Sequence, residues 1–449
     1  MAHLRHLTSL ALARALLAGD ARANGLAARA AQCLGQAAPW QQTLTLELAT
    51  QPGERWHQWQ PHTLAQWIEG HASYRQAWSS LDPPVARRYI LRPREHKQTA
   101  PLGLDHCPLP DLPHAGALAD FLGLSPQALW RLTRPASWQR RMALADQHYT
   151  FRLHPKRHGG WRLLEVPQGH LLGLQRKVLG GLLDQVPVHE AACGFVKDRS
   201  VLDHARTHCG QAVLMKFDLQ DFFSAVPASR VHAIFATLGY TDEVARLLTA
   251  LCTVATPEPV LARLQAEGGL SWPQRQRLRE PHLPQSAPTS PALANLCAFG
   301  LDLRLDGLAH ALGGRYSRYA DDLVLSGPKK LSPAMARVRA RVSGIVAEEG
   351  FGLNVDKTRL VRGGQKQVCG LVVNQQPNLP RAEFDRLKAL LHRCVLHGPE
   401  SQNGGALADW RGHLHGRVAW AAQVNPEKAV RLQRLLKAIN WTSRAQEAV

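Results

Sequence analysis

Apolar residues recur at helical spacing through the first part of the chain and again beyond Pro380, whereas the middle alternates in short runs of the kind strands use. Leu7–Leu17 and Ala21–Leu34 are rich in Ala and Leu, and Leu64–Trp78 is amphipathic, so all three are expected to be helices. Trp40, Trp56, Trp59, Trp67 and Trp78 crowd this part and read as its core rather than as stacking platforms. Pro83-Pro84 and the run Pro101–Pro113 punctuate the pattern as linkers. Leu118–Leu132 reads as helix, turn, helix, with Ser125 as N-cap and Pro126 in the first turn. Tyr149–Pro167 reads as a β-hairpin turning at His158-Gly159-Gly160, and Leu171–Leu183 as an amphipathic helix.

Further along, Ala212–Phe217 is a mostly apolar run ending at Asp218, the pattern of a buried strand that delivers a carboxylate at its end. Arg315–Tyr319 and Leu323–Ser326 flank Ala320-Asp321-Asp322 as the arms of a hairpin. Ser332–Glu349 is expected to be a helix beneath the sheet, with Ser332 as N-cap, Pro333 first, an apolar face of Met335, Val338, Val342 and Ile345, and Gly350 at the stop. Gly370–Asn374 reads as a strand. Arg381–His397, Ala406–Val424 and Pro426–Asn440 read as helices. Thr253–Pro284, charged and rich in Gln and Pro, reads as an insertion. No repeat of domain-like period is present.

Composition narrows the function. A chain of 449 residues supports two to four domains, and 54 Lys plus Arg against 35 Asp plus Glu, a net charge of +19, suggests a polyanionic partner. The eight cysteines form no CxxC pair, which argues against a disulfide framework or structural zinc and for a reducing cytoplasm. The apolar stretch Leu10–Leu17 is interrupted by Arg14 and too short to span a bilayer, so no membrane partner is expected.

The chemistry is concentrated in carboxylates. Asp321 and Asp322 are adjacent at an otherwise apolar tip and repel each other, so they need a compensating cation; magnesium, which takes few carboxylates and leaves positions for phosphate oxygens, suits them. Asp218 is the candidate third ligand. A solvated turn that happens to hold two Asp is the plain alternative. Four stretches in order then carry a family resemblance: FDLQDFFSAV from Phe217, QSAPTSPALAN at Gln285–Asn295, RYADD from Arg318, and GLNVDKTRLV at Gly352–Val361. Together they resemble the palm of a reverse transcriptase. GFVKDRSVLDHARTH at Gly194–His208 is similar to the element that precedes the first catalytic strand in retron enzymes, with His204 where Asn is usual, and Val368-Cys369-Gly370 resembles their Val-Thr-Gly.

The resemblance covers about residues 117 to 440 and implies an α+β right-hand polymerase. Residues 1–115 would be a helical extension with a Pro-rich linker, 116–375 fingers and palm, and 376–449 a helical thumb. Two magnesium ions about 3.5 to 4 Å apart would stabilise the attacking and leaving oxygens, with Asp218 and Asp321 bridging and Asp322 completing the charge. Lys357 resembles the lysine that protonates pyrophosphate, and a surface lysine is its alternative. Lys156 and Arg162 fall where the fingers bind triphosphate, and Gln285 opens a loop that touches nucleotide and template, with Ser286 in place of the usual Gly. Phe223 falls where an aromatic ring excludes the ribose 2′ hydroxyl, against the plainer reading of a core Phe. Arg381, Lys388, Arg393 and Arg417 would hold an RNA or hybrid duplex by its phosphates. The function implied is RNA-directed DNA synthesis of retron type on dNTPs. A structured non-coding RNA would be template and primer, the product a branched RNA-DNA (msDNA), and the role anti-phage defence with a separate effector protein. Another bacterial reverse transcriptase, group II intron-like or stand-alone, and a non-catalytic RNA-binding scaffold are the alternatives.

Overall fold

The structure, a computed structural model, describes residues 2–50, 56, 59–80, 82–87, 104, 106–156, 160–268, 270–405 and 407–441. They form two units: Met1–Pro187 with Val226–Leu293, and Val188–Ala225 with Ala294–Val449.

In the first unit, helices Ala2–Leu16, Ala23–Leu34, Pro39–Ala49, Pro61–Gly70 and Ala72–Trp78 enclose a core of Leu12, Leu16, Leu26, Leu44, Leu64 and Ile68. The five tryptophans pack against that core. The amphipathic stretch expected as one helix is two, because His71 leaves the helical conformation and its side chain accepts from Ser73 N to start the second. Most of the Pro-rich stretch before residue 104 lies outside the described residues, but its end is pinned where Tyr240 Oη donates to Pro110 O at 3.0 Å. Helices Ala115–Leu122 and Pro126–Leu132 follow, the second capped by Ser125 as its sequence demands.

Strands β1 (Tyr149–Pro155) and β2 (Trp161–Pro167) pair antiparallel from Tyr149↔Pro167 to Pro155↔Trp161. The centre of their turn, 157–159, lies outside the described residues. Their apolar face, including Phe151 and Leu163, packs on Val260, Leu264, Leu270 and Leu278. The segment expected as an insertion therefore supplies two supporting helices, Glu258–Gly268 and Trp272–Arg279, and Val260 and Leu264 at helical spacing explain why. Beneath β2, buried Glu165 accepts from Thr256 Oγ1 at 2.8 Å and lies 3.1 Å from His282 Nε2.

The second unit is built on a four-stranded antiparallel sheet ordered β4-β5-β3-β6, from β3 (Val213–Asp218), β4 (Arg315–Tyr319), β5 (Asp322–Gly327) and β6 (Arg359–Val361). Helix Phe299–Ala311 packs on β4 from one side and Val201–Thr207 from the other. Met335–Glu348 buries Met335, Val338, Val342 and Ile345 as expected, but Ser332 and Pro333 lie in a preceding 3-10 turn, Lys329–Ala334, so Ser332 is not its cap. The strand expected at Gly370–Asn374 is only β8 (Leu371–Val372), paired with β7 (Gln367–Val368), because Cys369 and Gly370 turn the chain with φ +46° and +81°. Arg381–His397, Trp410–Val424 and Pro426–Lys437 then share a core of Leu387, Leu391, Trp410, Leu414 and Leu432. The middle helix begins at Trp410, where Asp409 Oδ1 accepts from Gly412 N at 2.7 Å; its expected start, residue 406, lies outside the described residues. No described helix is long and apolar enough to cross a membrane.

Candidate active site

An apolar strand buried on both faces needs its polar end at an edge, and β3 ends so: Val213, Leu214, Met215 and Phe217 are buried and Asp218 emerges. β3 pairs with β5 so that Asp218 faces Asp322. Tyr319 pairs with Asp322 across β4–β5, leaving Ala320 and Asp321 as a two-residue turn. Asp218 thus meets Asp321 and Asp322, more than a hundred positions further along the chain, at one end of the sheet. Leu219 N donates to Asp321 O at 2.8 Å, which ties the turn to the end of β3.

This turn is held from behind. Ala320 adopts φ +57°, unusual for a residue with a Cβ. Gly194 passes so close that a Cβ there would sit 2.5 Å from Ala320 N, so a glycine is required. Arg318, fully buried, donates through Nη1 to Ala320 O at 3.1 Å and to Asn295 Oδ1 at 2.8 Å. Its other nitrogens reach Asp302, Nε at 2.8 Å and Nη2 at 2.6 Å, while Tyr316 Oη donates to the same carboxylate at 2.9 Å. Asn295 Nδ2 closes the circuit on Gly194 O at 2.9 Å. Every polar atom of the guanidinium therefore has a partner, the condition for burying a charge.

On the opposite face of β4, Ser317 Oγ lies 2.7 Å from His204 Nδ1 and 2.8 Å from His208 Nε2, and His208 Nδ1 lies 2.7 Å from Ser326 Oγ. Period-two alternation along β4 puts Tyr316 and Arg318 on one helix and Ser317 on the other. Burial first, then nearby positive charge, holds His204 down at about 3 and His208 well below its ordinary range. Both imidazoles are neutral struts.

The acids sit in an uneven field. Lys357 Nζ donates to Asp218 Oδ1 at 2.9 Å and Oδ2 at 3.0 Å. Lys216 Nζ lies 3.7 Å from Asp322 Oδ2, and the Cys369 thiol donates to the same oxygen at 3.5 Å. That thiol is pushed up to about 12 by burial and by the Asp322 charge. Asp321 is raised above the usual carboxylate range, by burial first and then by Asp218. Two ammonium groups against three carboxylates leave the cluster one positive charge short. Among the described residues no three His, Cys, Asp or Glu are already drawn into a metal-ligand group. The donor set nevertheless fits a hard cation: oxygen ligands only, fixed by the sheet register, open at the strand ends.

The other expected residues are placed as follows. Phe223 is half-buried, its ring 5.5 Å from that of buried Phe222 and 6.1 Å from that of Phe195, which is 52% exposed. Lys156, Arg162 and Gln285 belong to the first unit. The first two are exposed on the β1–β2 hairpin, and Gln285 O accepts from Glu165 N at 2.8 Å. Ser286 adopts φ +99°, so the residue that replaces the usual Gly keeps a glycine-like backbone. Arg381 is exposed and 3.6 Å from Asp385, Lys388 is half-buried, Arg393 Nε donates to Gln402 Oε1 at 2.8 Å, and Arg417 lines a cleft with Glu383 and Trp420. Arg318, Asp302, Asn295 and Gly194 carry no local signal of a site role, although three of them lie in the stretches that resemble the family. Only the fold shows that they meet.

Residues 154–382 match the family model described as reverse transcriptase (RNA-dependent DNA polymerase). The chain is similar to the retron Mx65 reverse transcriptase of Myxococcus xanthus, 41% identical over 299 residues that cover 65% of each chain. It is similar too to the retron Mx162 reverse transcriptase of the same organism, 36% identical over 71% of this chain and 66% of the relative. The retron Ec86 reverse transcriptase of Escherichia coli is 31% identical over 54% of this chain and 67% of its own. The chain thus spans slightly under two thirds of the length of the two Myxococcus relatives.

Proposed function

The chain belongs to the reverse transcriptase family, in its bacterial retron-type branch, and from that premise we propose that it copies RNA into DNA at Asp218, Asp321 and Asp322. The observation that supports this most is the pairing of Asp218 with Asp322 across β3 and β5, with Asp321 on the adjoining turn. Asp218 and Asp321 would hold two magnesium ions, and Asp322 would complete the negative charge. When bound, the ions supply charge stabilisation to the attacking 3′ oxygen and the leaving pyrophosphate oxygen.

The chain's own groups do the rest. Lys357 Nζ donates to Asp218 here, and by resemblance it would give its proton to the pyrophosphate. By resemblance, the ring of Phe223, which packs beside Phe222, would exclude a 2′ hydroxyl, so that dNTPs are taken. By resemblance, Lys156 and Arg162 bind the triphosphate and Gln285 the nucleotide and template. Arg381, Lys388, Arg393 and Arg417 hold the duplex. In the cytoplasm a structured non-coding RNA would be template and, through an internal 2′ hydroxyl, primer, giving a branched msDNA that acts with a separate effector protein in anti-phage defence.

Two assays test this. Purified protein given a primed RNA template and magnesium should incorporate dNTPs and not rNTPs, and stop on chelation; rNTP incorporation at equal rate would overturn the assignment. Nucleic acid recovered with the protein from cells bearing the native locus should contain DNA joined to RNA by a 2′,5′ link. Linear RNA alone would refute the retron-type product and leave a stand-alone reverse transcriptase.

A further inference from the structure

The first unit holds a cleft of about 290 Å³ that the chemistry above does not use, between the segment Thr133–Gln139 and helices Ala228–Thr237 and Asp242–Cys252. That volume lies near the lower end for ligand sites, roughly 300 Å³, enough for one nucleoside and too small for a duplex or a helix. Its walls include Pro135, Ala136, Ala250 and Pro281, flat apolar surface suited to the face of a ring.

Its edges accept hydrogen bonds. The hydroxyl hydrogens of three lining threonines are committed to backbone carbonyls: Thr133 to Leu129 O at 2.8 Å, Thr249 to Ala245 O at 2.7 Å and Thr253 to Thr249 O at 2.8 Å. Their lone pairs remain for a donor, such as the exocyclic amino group of a base. Cations stand at the rim. These are Arg134 and Arg246; Asp242 offsets part of the charge, 3.0 Å from Arg246 Nε.

Beside the cleft the arrangement is that of a stacking platform. The Arg134 guanidinium lies 4.8 Å from the ring centroid of Trp130 and 5.6 Å from that of Trp138, and its buried Nε has no hydrogen-bond partner among the described residues. Trp130 and Trp138 are 61% and 60% exposed, although a folded chain normally buries most of such a ring. Arginine interleaved with open aromatic faces is how sequence-tolerant single-strand sites hold successive bases.

We propose that this cleft takes one unpaired, amino-bearing base of a single nucleic-acid strand, with neighbouring bases on Trp130 and Trp138 and phosphates on Arg134 and Arg246. That the strand is RNA rests on the function proposed above; that the base is unpaired rests on the cleft alone.

The test uses the full chain and labelled oligocytidylate, oligouridylate and oligodeoxycytidylate of equal length, with an RNA duplex for comparison. Cytidylate should bind more tightly than uridylate, which carries a carbonyl oxygen in place of the exocyclic amino group. Trp130→Ala with Trp138→Ala should weaken cytidylate binding about ten-fold or more and duplex binding far less. Thr253→Val should abolish the preference for cytidylate. Both tryptophans are exposed, so the double variant should keep the parent's thermal midpoint and its extension of a preformed template-primer. Parental affinity in the double variant, or an equal loss on duplex, would overturn the proposal, and tighter binding of the deoxy strand would overturn the assignment to RNA. A parent that binds as described but extends no primer would remove the polymerase reading and leave the cleft.

Discussion

Asp321 occupies the turn between β4 and β5 beside Asp218 and Asp322, and burial together with those two charges holds its carboxyl above the ordinary range. A carboxyl raised in the folded state opposes folding once it is ionised. The opposition is present in full above the raised value and vanishes as pH falls below the range of the unfolded chain. Asp321→Asn should therefore raise the thermal midpoint at neutral pH, by about 2 °C. Added magnesium should raise the parent's midpoint and leave the variant's nearly unmoved, since a ligand of the native state stabilises only the form that binds it. Thermal scans with and without the ion check both. Asp321 and Asp322 were legible because adjacent carboxylates in an apolar run are conspicuous, and Asp218 because it ends an apolar strand. Cys369 and Lys216 were not, because their contact with Asp322 depends on register and on the left-handed turn at Cys369.

At the scale of elements, β4 is clamped between two helices by unlike means: a buried ion pair on one face, neutral imidazoles on the other. Removing one partner of the pair leaves the other charged and dry. Arg318→Ala should cost about 3 to 5 kcal/mol in denaturant unfolding, and replacing both Arg318 and Asp302 by apolar residues should cost less than Arg318→Ala alone. The imidazoles set an acid limit. His204 and His208 have folded values below those of the unfolded chain, so their stabilisation is complete above about pH 6.5 and is lost progressively as pH falls toward 3. His282 runs the other way. Burial pulls it down but Glu165 lifts it above its ordinary value, so its contribution is present at low pH and lost as pH rises through the raised value. His204→Asn, which keeps a group able to meet Ser317, should flatten the fall in stability between pH 7 and pH 5; an unchanged slope would count against the buried neutral state.

Elements with a strong period were readable from the chain. β4 and the helix Arg381–His397 have the bounds their patterns suggested, since alternation and helical spacing end there at a turn and at Gly398. What the pattern could not carry was competition between neighbours. Two helices arose where one was expected because His71 caps its own successor, and a 3-10 turn took Ser332 because the helical face begins only at Met335.

Across the whole molecule, an excess of 19 positive charges would make the proposed binding to nucleic acid a counterion-release process. Neutralising Arg381 and Lys388 together should lower the slope of log affinity against log salt by roughly 1 to 2 and weaken all duplex sequences alike. A filter-binding series over salt concentration measures it. Strand order in the sheet was not legible, because β3 enters between β5 and β6 across more than a hundred residues and no local signal records such a pairing.

In the proposed function Asp218, Asp321 and Asp322 act together on one reaction. This is tested most directly by primer extension on an RNA template with parent, Asp218→Asn and Asp321→Asn proteins of equal thermal midpoint or better. DNA synthesis should fall at least about 100-fold in each variant. Parental synthesis by either one would contradict the account.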